Sequence, residues 1–380
     1  MYPQRKNDRK VAIIILVKFP CGTIDHRRLT EDKKAFMNFT LHKDFSDLSE
    51  ATWNALVEQS IADTPFSRHE YLSEWWQTLG GGEWGSAELV LISAKENDQL
   101  IGIAPLFIAE YDGQRALMLV GSIEISDYLD LIVRADDLPR FVSGLLDVLA
   151  SSEIGAGSPR PYDWSALDWY NLPDDSPTRA ALKAESEKRG WTHHEEVYRP
   201  TPRIPLNGSF DEYLARIDKK QRHEIRRKMR RAAESEKNVR FYVVNGTADI
   251  NTEIEEFFHL MVQDANKEEF LHPAMREQMT VTMQNAHARG YLWLGFLEVA
   301  GAKAAASLNF DYKNKLWGYN SGVGREHMEL SPGWVLLAHV IQWCCENGRA
   351  EFDFMRGDEE YKYRFGGVNK HVMRVKVIRS

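Results

Sequence analysis

The sequence predicts an α/β protein with mixed sheets, built as two tandem units of one plan. Three observations carry this. A three-strand meander over 88–120 recurs over 291–321, roughly 200 residues later, as a duplicated unit would. Both third strands run into glycine (Gly121; Gly322 and Gly324), and both meanders are followed by a helical pattern, at 139–150 and at 332–347. The chain has 380 residues, 43% of them hydrophobic, which suffices for two cores and excludes disorder as the main state.

Taken in order, residues 48–60 (Leu48, Trp53, Leu56, Val57) and 68–79 (Tyr71, Leu72, Trp75, Trp76) have helical spacing and read as packing helices. Gly80, Gly81, Gly82 and Gly85 satisfy GxGxxG, yet they follow a helix and precede a strand. Dinucleotide sites need the reverse order, so the glycines read as a turn. The first meander comprises strands at 88–94, 100–109 and 115–120, and the second strands at 291–299, 302–310 and 315–321. Between them, a Gly, Pro, Ser and Asp-rich stretch carries a strand at 165–172. A helix at 177–189 then ends at Gly190, and an extended run continues to Pro205. We expect the boundary near Pro200, giving units over 37–200 and 201–380. Residues 1–36 are expected to be a disordered or dispensable extension: the apolar run 11–17 is too short for a membrane helix, and no small-residue cleavage site follows it.

Forty-eight basic against 56 acidic residues leave a net charge of −8, which suits a cytoplasmic protein and excludes a globally basic nucleic-acid coat. Three cysteines, two of them adjacent, frame neither a disulfide nor a tetrahedral metal site, so a reducing compartment and no metal are expected. HExxH, CxxC, Walker A and GxSxG motifs are absent. His193-His194-Glu195-Glu196 would point alternately to opposite strand faces.

Three segments carry chemistry. From Arg216 to Arg231, nine of sixteen residues are Lys or Arg, and only Glu224 is interleaved. Like charges at helical spacing repel, so such a helix calls for an anionic partner, with Arg222, Arg226 and Arg227 as phosphate ligands. Ser331-Pro332-Gly333 opens a helix directly after the second meander: Ser331 can cap, Pro332 suits the first helical position, and Gly333 lets an anionic ligand approach the backbone. Finally, 351–367 gathers carboxylates, cations, tyrosines and glycines. Acyl transfer to an amine needs this mixture: a proton acceptor, an oxyanion partner and a proton donor for the leaving group.

Together with Pro65-Phe66, Gly102-Ile103-Ala104-Pro105-Leu106 and Ser126-Asp127-Tyr128-Leu129-Asp130, these segments resemble the CelD-like acetyltransferases of the GNAT superfamily, the closing 352–362 segment most specifically. The resemblance spans about Phe39 to the C-terminus. It implies two tandem GNAT units and an acyltransferase using acetyl-CoA or another acyl-CoA. The acceptor would be a small-molecule or cell-envelope amine, in a setting of polysaccharide synthesis. The related FemABX peptidyl transferases, which the basic helix and 361–367 also resemble, imply aminoacyl-tRNA as the alternative donor; a non-catalytic adaptor is a third reading. By this resemblance Lys362 stabilises donor phosphate or the oxyanion. Asp353 or Asp358 takes the amine proton, with Asp127 a candidate from the first unit, and Tyr361 protonates the thiolate. Ser331, Gly333, Arg356 and Gly357 hold the cofactor, and Tyr128 joins the arginines in binding substrate. The loop before the helix, Met328-Glu329-Leu330-Ser331-Pro332-Gly333, departs from the Gln/Arg-x-x-Gly-x-Gly/Ala pattern of GNAT enzymes.

Overall fold

The computed structural model describes residues 13–15, 37–82, 84, 86–151, 163–246 and 248–379. The first half contains β1 (Ile13–Ile15), β2 (Asn38–His42), α1 (Glu50–Val57), α2 (His69–Leu79), β3 (Glu88–Glu96), β4 (Gln99–Tyr111), β5 (Gln114–Leu119), β6 (Ile132–Val133), α3 (Leu138–Ala150), β7 (Ala166–Pro173), α4 (Pro177–Lys188) and β8 (Thr192–Pro205). The second contains α5 (Phe210–Arg216), α6 (Lys219–Ala233), β9 (Val239–Val243), α7 (Ile250–Met261), α8 (Ala265–Phe270), α9 (Pro273–Ala288), β10 (Leu292–Val299), β11 (Ala302–Tyr312), β12 (Lys315–Val323), α10 (Pro332–Glu346), β13 (Glu351–Asp353), α11 (Glu360–Arg364) and β14 (Val368–Ile378). Thirteen of the strands form one mixed sheet in the order β1-β2-β3-β4-β5-β7-β14-β8-β13-β12-β11-β10-β9, with β6 paired to β4.

The expected α/β class and the repeated meander are both present. In each half the chain leaves the third meander strand, crosses through a helix (α3 or α10) and returns parallel to it: β7 beside β5, β13 beside β12. A parallel neighbour requires such a crossover, which is why a helix follows each meander. Gly102 lets α3 sit close, because a Cβ there would lie 2.5 Å from the Phe141 ring.

The halves do not part at Pro200. That residue lies inside β8, opposite His371 of β14, and β14 itself is inserted between β7 and β8. The prolines that suggested a linker are compatible with this central strand for a specific reason. The carbonyls of Pro200 and Pro202 face the 354–357 loop and accept from the Gly357 and Phe354 N–H groups at 3.0 Å, so the missing proline N–H groups cost the β14 ladder nothing.

α5, α6 and α10 close over one apolar cluster (Ile225, Val335, Ile341, Phe352). α9 packs on α2 of the first half and α7 on β11, β12 and α9, and a second cluster (Phe66, Trp75, Phe257, Met279) runs through both halves. Trp75 is thus a core residue. The basic run is two helices instead of one: Arg216 ends α5, and Asp218 caps α6 by accepting from the Lys220 and Gln221 N–H groups. Ile13–Ile15 pairs with β2 as an edge strand, whereas the rest of 1–36 and Gly85 lie outside the described residues. Among the described residues no helix is long and apolar enough to cross a membrane.

Candidate active site

β12 and β13 are paired only where Lys315–Trp317 meets Glu351–Asp353. Beyond that point β12 continues to Val323, while the chain after Asp353 turns away at Met355, whose φ of 62° is left-handed. The divergence opens a cleft of about 550 Å³, walled by β11, β12, the first turns of α10 and the 354–362 loop. A smaller cavity of about 330 Å³ adjoins it where the two halves meet, and the two share Asp127, Lys267, Tyr319, Asn320 and Arg356.

Two buried polar atoms line the cleft without a partner: Asn309 Oδ1 and Trp334 Nε1. Asn309 is fully buried, and its Nδ2 donates to Ser307 Oγ at 2.9 Å. Each is costly to leave unsatisfied, and a ligand offering an N–H to the one and a C=O to the other would relieve both.

The start of α10 differs from expectation. Ser331 makes no side-chain cap bond and adopts a left-handed φ of 53°. Its carbonyl instead receives the Trp334 and Val335 N–H groups at 3.0 and 3.1 Å. Pro332 has no N–H, which leaves that of Gly333 for a ligand. Gly333 lines the cleft, and a Cβ on it would lie 2.8 Å from Val323 Cγ2. Gly333→Ala should therefore push α10 off β12, costing about 1–3 kcal/mol in a denaturant melt and weakening any ligand in the cleft.

Of the carboxylates expected to take a proton, Asp127 alone reaches the cleft. Asp353 is sealed: its oxygens accept from Tyr128 Oη (3.0 and 2.9 Å) and the Met355 N–H (2.8 Å), and pair with Arg203 Nε at 3.1 Å. Burial lifts its pKa to about 6, and Arg203, the Met355 N–H and Tyr128 oppose a larger rise. Asp358 is exposed and lines neither cavity. Tyr128 is spent on Asp353 and does not bind substrate; burial and the facing carboxylate push its phenol well up.

Lys362 and Arg356 are also committed internally. Lys362 is buried, and its ammonium donates to the carbonyls of Arg356 (2.6 Å), Met355 (3.4 Å) and Gly357 (3.4 Å) and pairs with Glu359 at 2.9 Å. Lys362 also lines the cleft, and these contacts make it a staple of the cleft loop. Arg356, which lines both cavities, pairs with Asp127 and donates to the carbonyls of Ile123 and Glu124 and to Asn171 Oδ1, fastening the second half to the first. Gly357 lines the smaller cavity at a φ of 120°, where a Cβ would fall 2.9 Å from Lys362 Nζ. Tyr361 lines the cleft, and burial, then Glu359, raise its pKa.

The arginines of α6 find protein partners. Arg222 donates to the carbonyls of Leu214 and Ala215, Arg226 pairs with Asp211 at 2.8 Å, and Arg227 pairs with Glu224 at 2.9 Å. None of the three lines the cleft. Among the described residues Lys219, Lys220, Arg230 and Arg231 have no ion-pair partner. Sequence reasoning missed Lys267, Asn309, Tyr319 and Trp334. Asn309 left one trace, an amide inside the apolar run 304–310; Lys267 sits in a short polar helix and left none.

Residues 219–363 match the family model of the acetyltransferase (GNAT) domain. The matched span supplies every wall of the larger cleft except Asp127 and Phe365. No curated protein matches the chain. Among solved structures, FemX is similar with a TM-score of 0.60 at 13% identity, covering 86% of this chain and 96% of that one. A conserved protein of unknown function from Bacteroides thetaiotaomicron gives 0.53 at 12%, covering 89% and 99%. L-PGS from Bacillus licheniformis gives 0.51 at 10%, covering 87% and 92%. At these identities the likeness is one of fold, and it extends over both halves.

Proposed function

We propose that the protein is an N-acyltransferase that moves an acyl group, acetyl or longer, from an acyl-CoA to an amine. The observation that carries the reading is the cleft at the β12/β13 divergence with its two orphaned polar atoms. The arm of CoA is an extended chain of amides, and each amide offers the N–H that Asn309 Oδ1 lacks and the C=O that Trp334 Nε1 lacks. The neutral amine attacks the thioester carbonyl, a C–N bond forms, and the C–S bond breaks. Asp127 accepts the amine proton, Tyr361 protonates the thiolate, and backbone N–H groups near Gly333 face the oxyanion. The resemblance to CelD-like acetyltransferases supports an acceptor from polysaccharide or cell-envelope synthesis.

A second reading, aminoacyl transfer from tRNA as in the FemABX enzymes, is favoured by the four unpartnered cations of α6. Thermal shift separates the two. Acyl-CoA at about 100 times its Kd should stabilise the protein by about 2.7 kcal/mol, and Asn309→Leu should abolish that shift. No shift with any acyl-CoA, together with aminoacyl-tRNA binding that falls steeply with salt, would replace the first reading by the second. Turnover with neither donor would leave the adaptor.

A further inference from the structure

We propose that the smaller cavity receives an acceptor bearing, besides its amine, an anionic group (a carboxylate or a phosphate) held between Arg199 and Lys267. The inference rests on the acyl-transfer reading and names the class of acceptor. The two cations come from opposite halves, Arg199 from β8 and Lys267 from α8, and both line this cavity. Neither makes an ion pair among the described residues, although the carboxylates of Glu124 and Asp127 also line the cavity. Arg199 is exposed and, among the described residues, its guanidinium makes no hydrogen bond or ion pair; it lies 5.1 Å from the ring of Tyr198. Lys267 is half-buried and donates only to neutral acceptors, Asn320 Oδ1 at 3.1 Å and the Ser321 carbonyl at 2.5 Å.

The third cation of the cavity shows the contrast. Arg356 is neutralised by Asp127, so it leaves nothing for a ligand. Burial lowers the pKa of Lys267, against the opposing pull of Asp264 and Glu359, and an anion seated beside it would raise it again. Tyr319 and Asn320 line both cavities, so an acceptor anchored by its anion can turn its amine toward the acyl group in the larger cleft.

The test compares acceptors matched except for the anion: an amino acid against its amide, and an amino-sugar phosphate against the free amino sugar. Wild type should prefer the anionic member of at least one pair, and the pair concerned tells carboxylate from phosphate. Arg199→Gln and Lys267→Gln should each reduce the anionic-to-neutral ratio of kcat/KM about 10-fold or more, through KM, whereas Lys267→Arg should retain it. No preference in wild type, or an unchanged ratio in both variants, overturns the proposal. Should wild type acylate no amine at all, the acyl-transfer reading is what fails. The site is then read by thermal shift with inorganic phosphate and acetate: a shift lost in the double Gln variant sustains it, and no shift with wild type sinks it.

Discussion

Lys362→Ala is expected to lose about 3–5 kcal/mol of stability and most of its transfer activity at 37 °C, with the two losses sharing one cause. The ammonium is 2% exposed and bonds three successive backbone carbonyls together with the Glu359 carboxylate. Truncation leaves those carbonyls without their donor and Glu359 without its cation, the situation in which a broken buried pair costs most. Residues 354–359 should then exchange their amide protons faster than the sheet does, because the staple across their turn is gone. Lys362→Arg should not rescue, since a planar fork cannot address three carbonyls grouped around one point. An oxyanion-binding lysine would behave otherwise. Its removal would cut kcat by about 10²–10³ with the melting temperature intact. Measuring both quantities on one sample decides between the roles.

How much was legible beforehand follows from the range of each interaction. The meanders, the crossover helices and α6 are local patterns of spacing and capping, and their positions agree with the structure to within a few residues. The insertion of β14 between β7 and β8 pairs residues 165 or more positions apart, and nothing in either segment announces the other. Three prolines in an extended run suggest a boundary at Pro200 locally, whereas the long-range pairing of β8 with β14 places that residue inside the sheet. The site shows the same limit. The family resemblance singled out Asp127, Tyr128, Asp353, Arg356 and Lys362, and they do cluster, but largely with one another. Whether a carboxylate faces a cavity or an arginine on the neighbouring strand depends on the register of β13 against β8, which no motif encodes. Arg199 and Lys267 failed in the opposite sense: each is an ordinary surface cation by sequence, and only the fold leaves both without a counter-ion.

Arg203 provides the sharpest separation of structural from chemical roles. It faces Asp353 directly across the β8/β13 pair, and its guanidinium also lies 5.2 Å from the ring of Tyr128. Arg203→Leu should cost about 3–5 kcal/mol near neutral pH, because it leaves an ionised carboxylate buried without its cation. The pH dependence follows from linkage. The folded-state pKa of Asp353 already lies at about 6, above its ordinary value, and loss of Arg203 raises it further. Relative to the wild type the deficit is therefore full above the variant's folded pKa, shrinks as pH falls to the wild-type folded value of about 6, and is constant below it, where both folded states hold the proton. Asp353→Asn, by contrast, keeps an oxygen for the Met355 N–H and should retain transfer within a few-fold, at a modest cost in stability. If Asp353 were the base, the same change would abolish turnover in a protein that still melts cooperatively. Arg203→Leu combined with Asp353→Leu should regain most of the stability lost by the first change alone, since the buried charge leaves together with the need to neutralise it. A double variant no more stable than Arg203→Leu would mean that the hydrogen bonds to Tyr128 and Met355, and not the ion pair, hold this strand end in place.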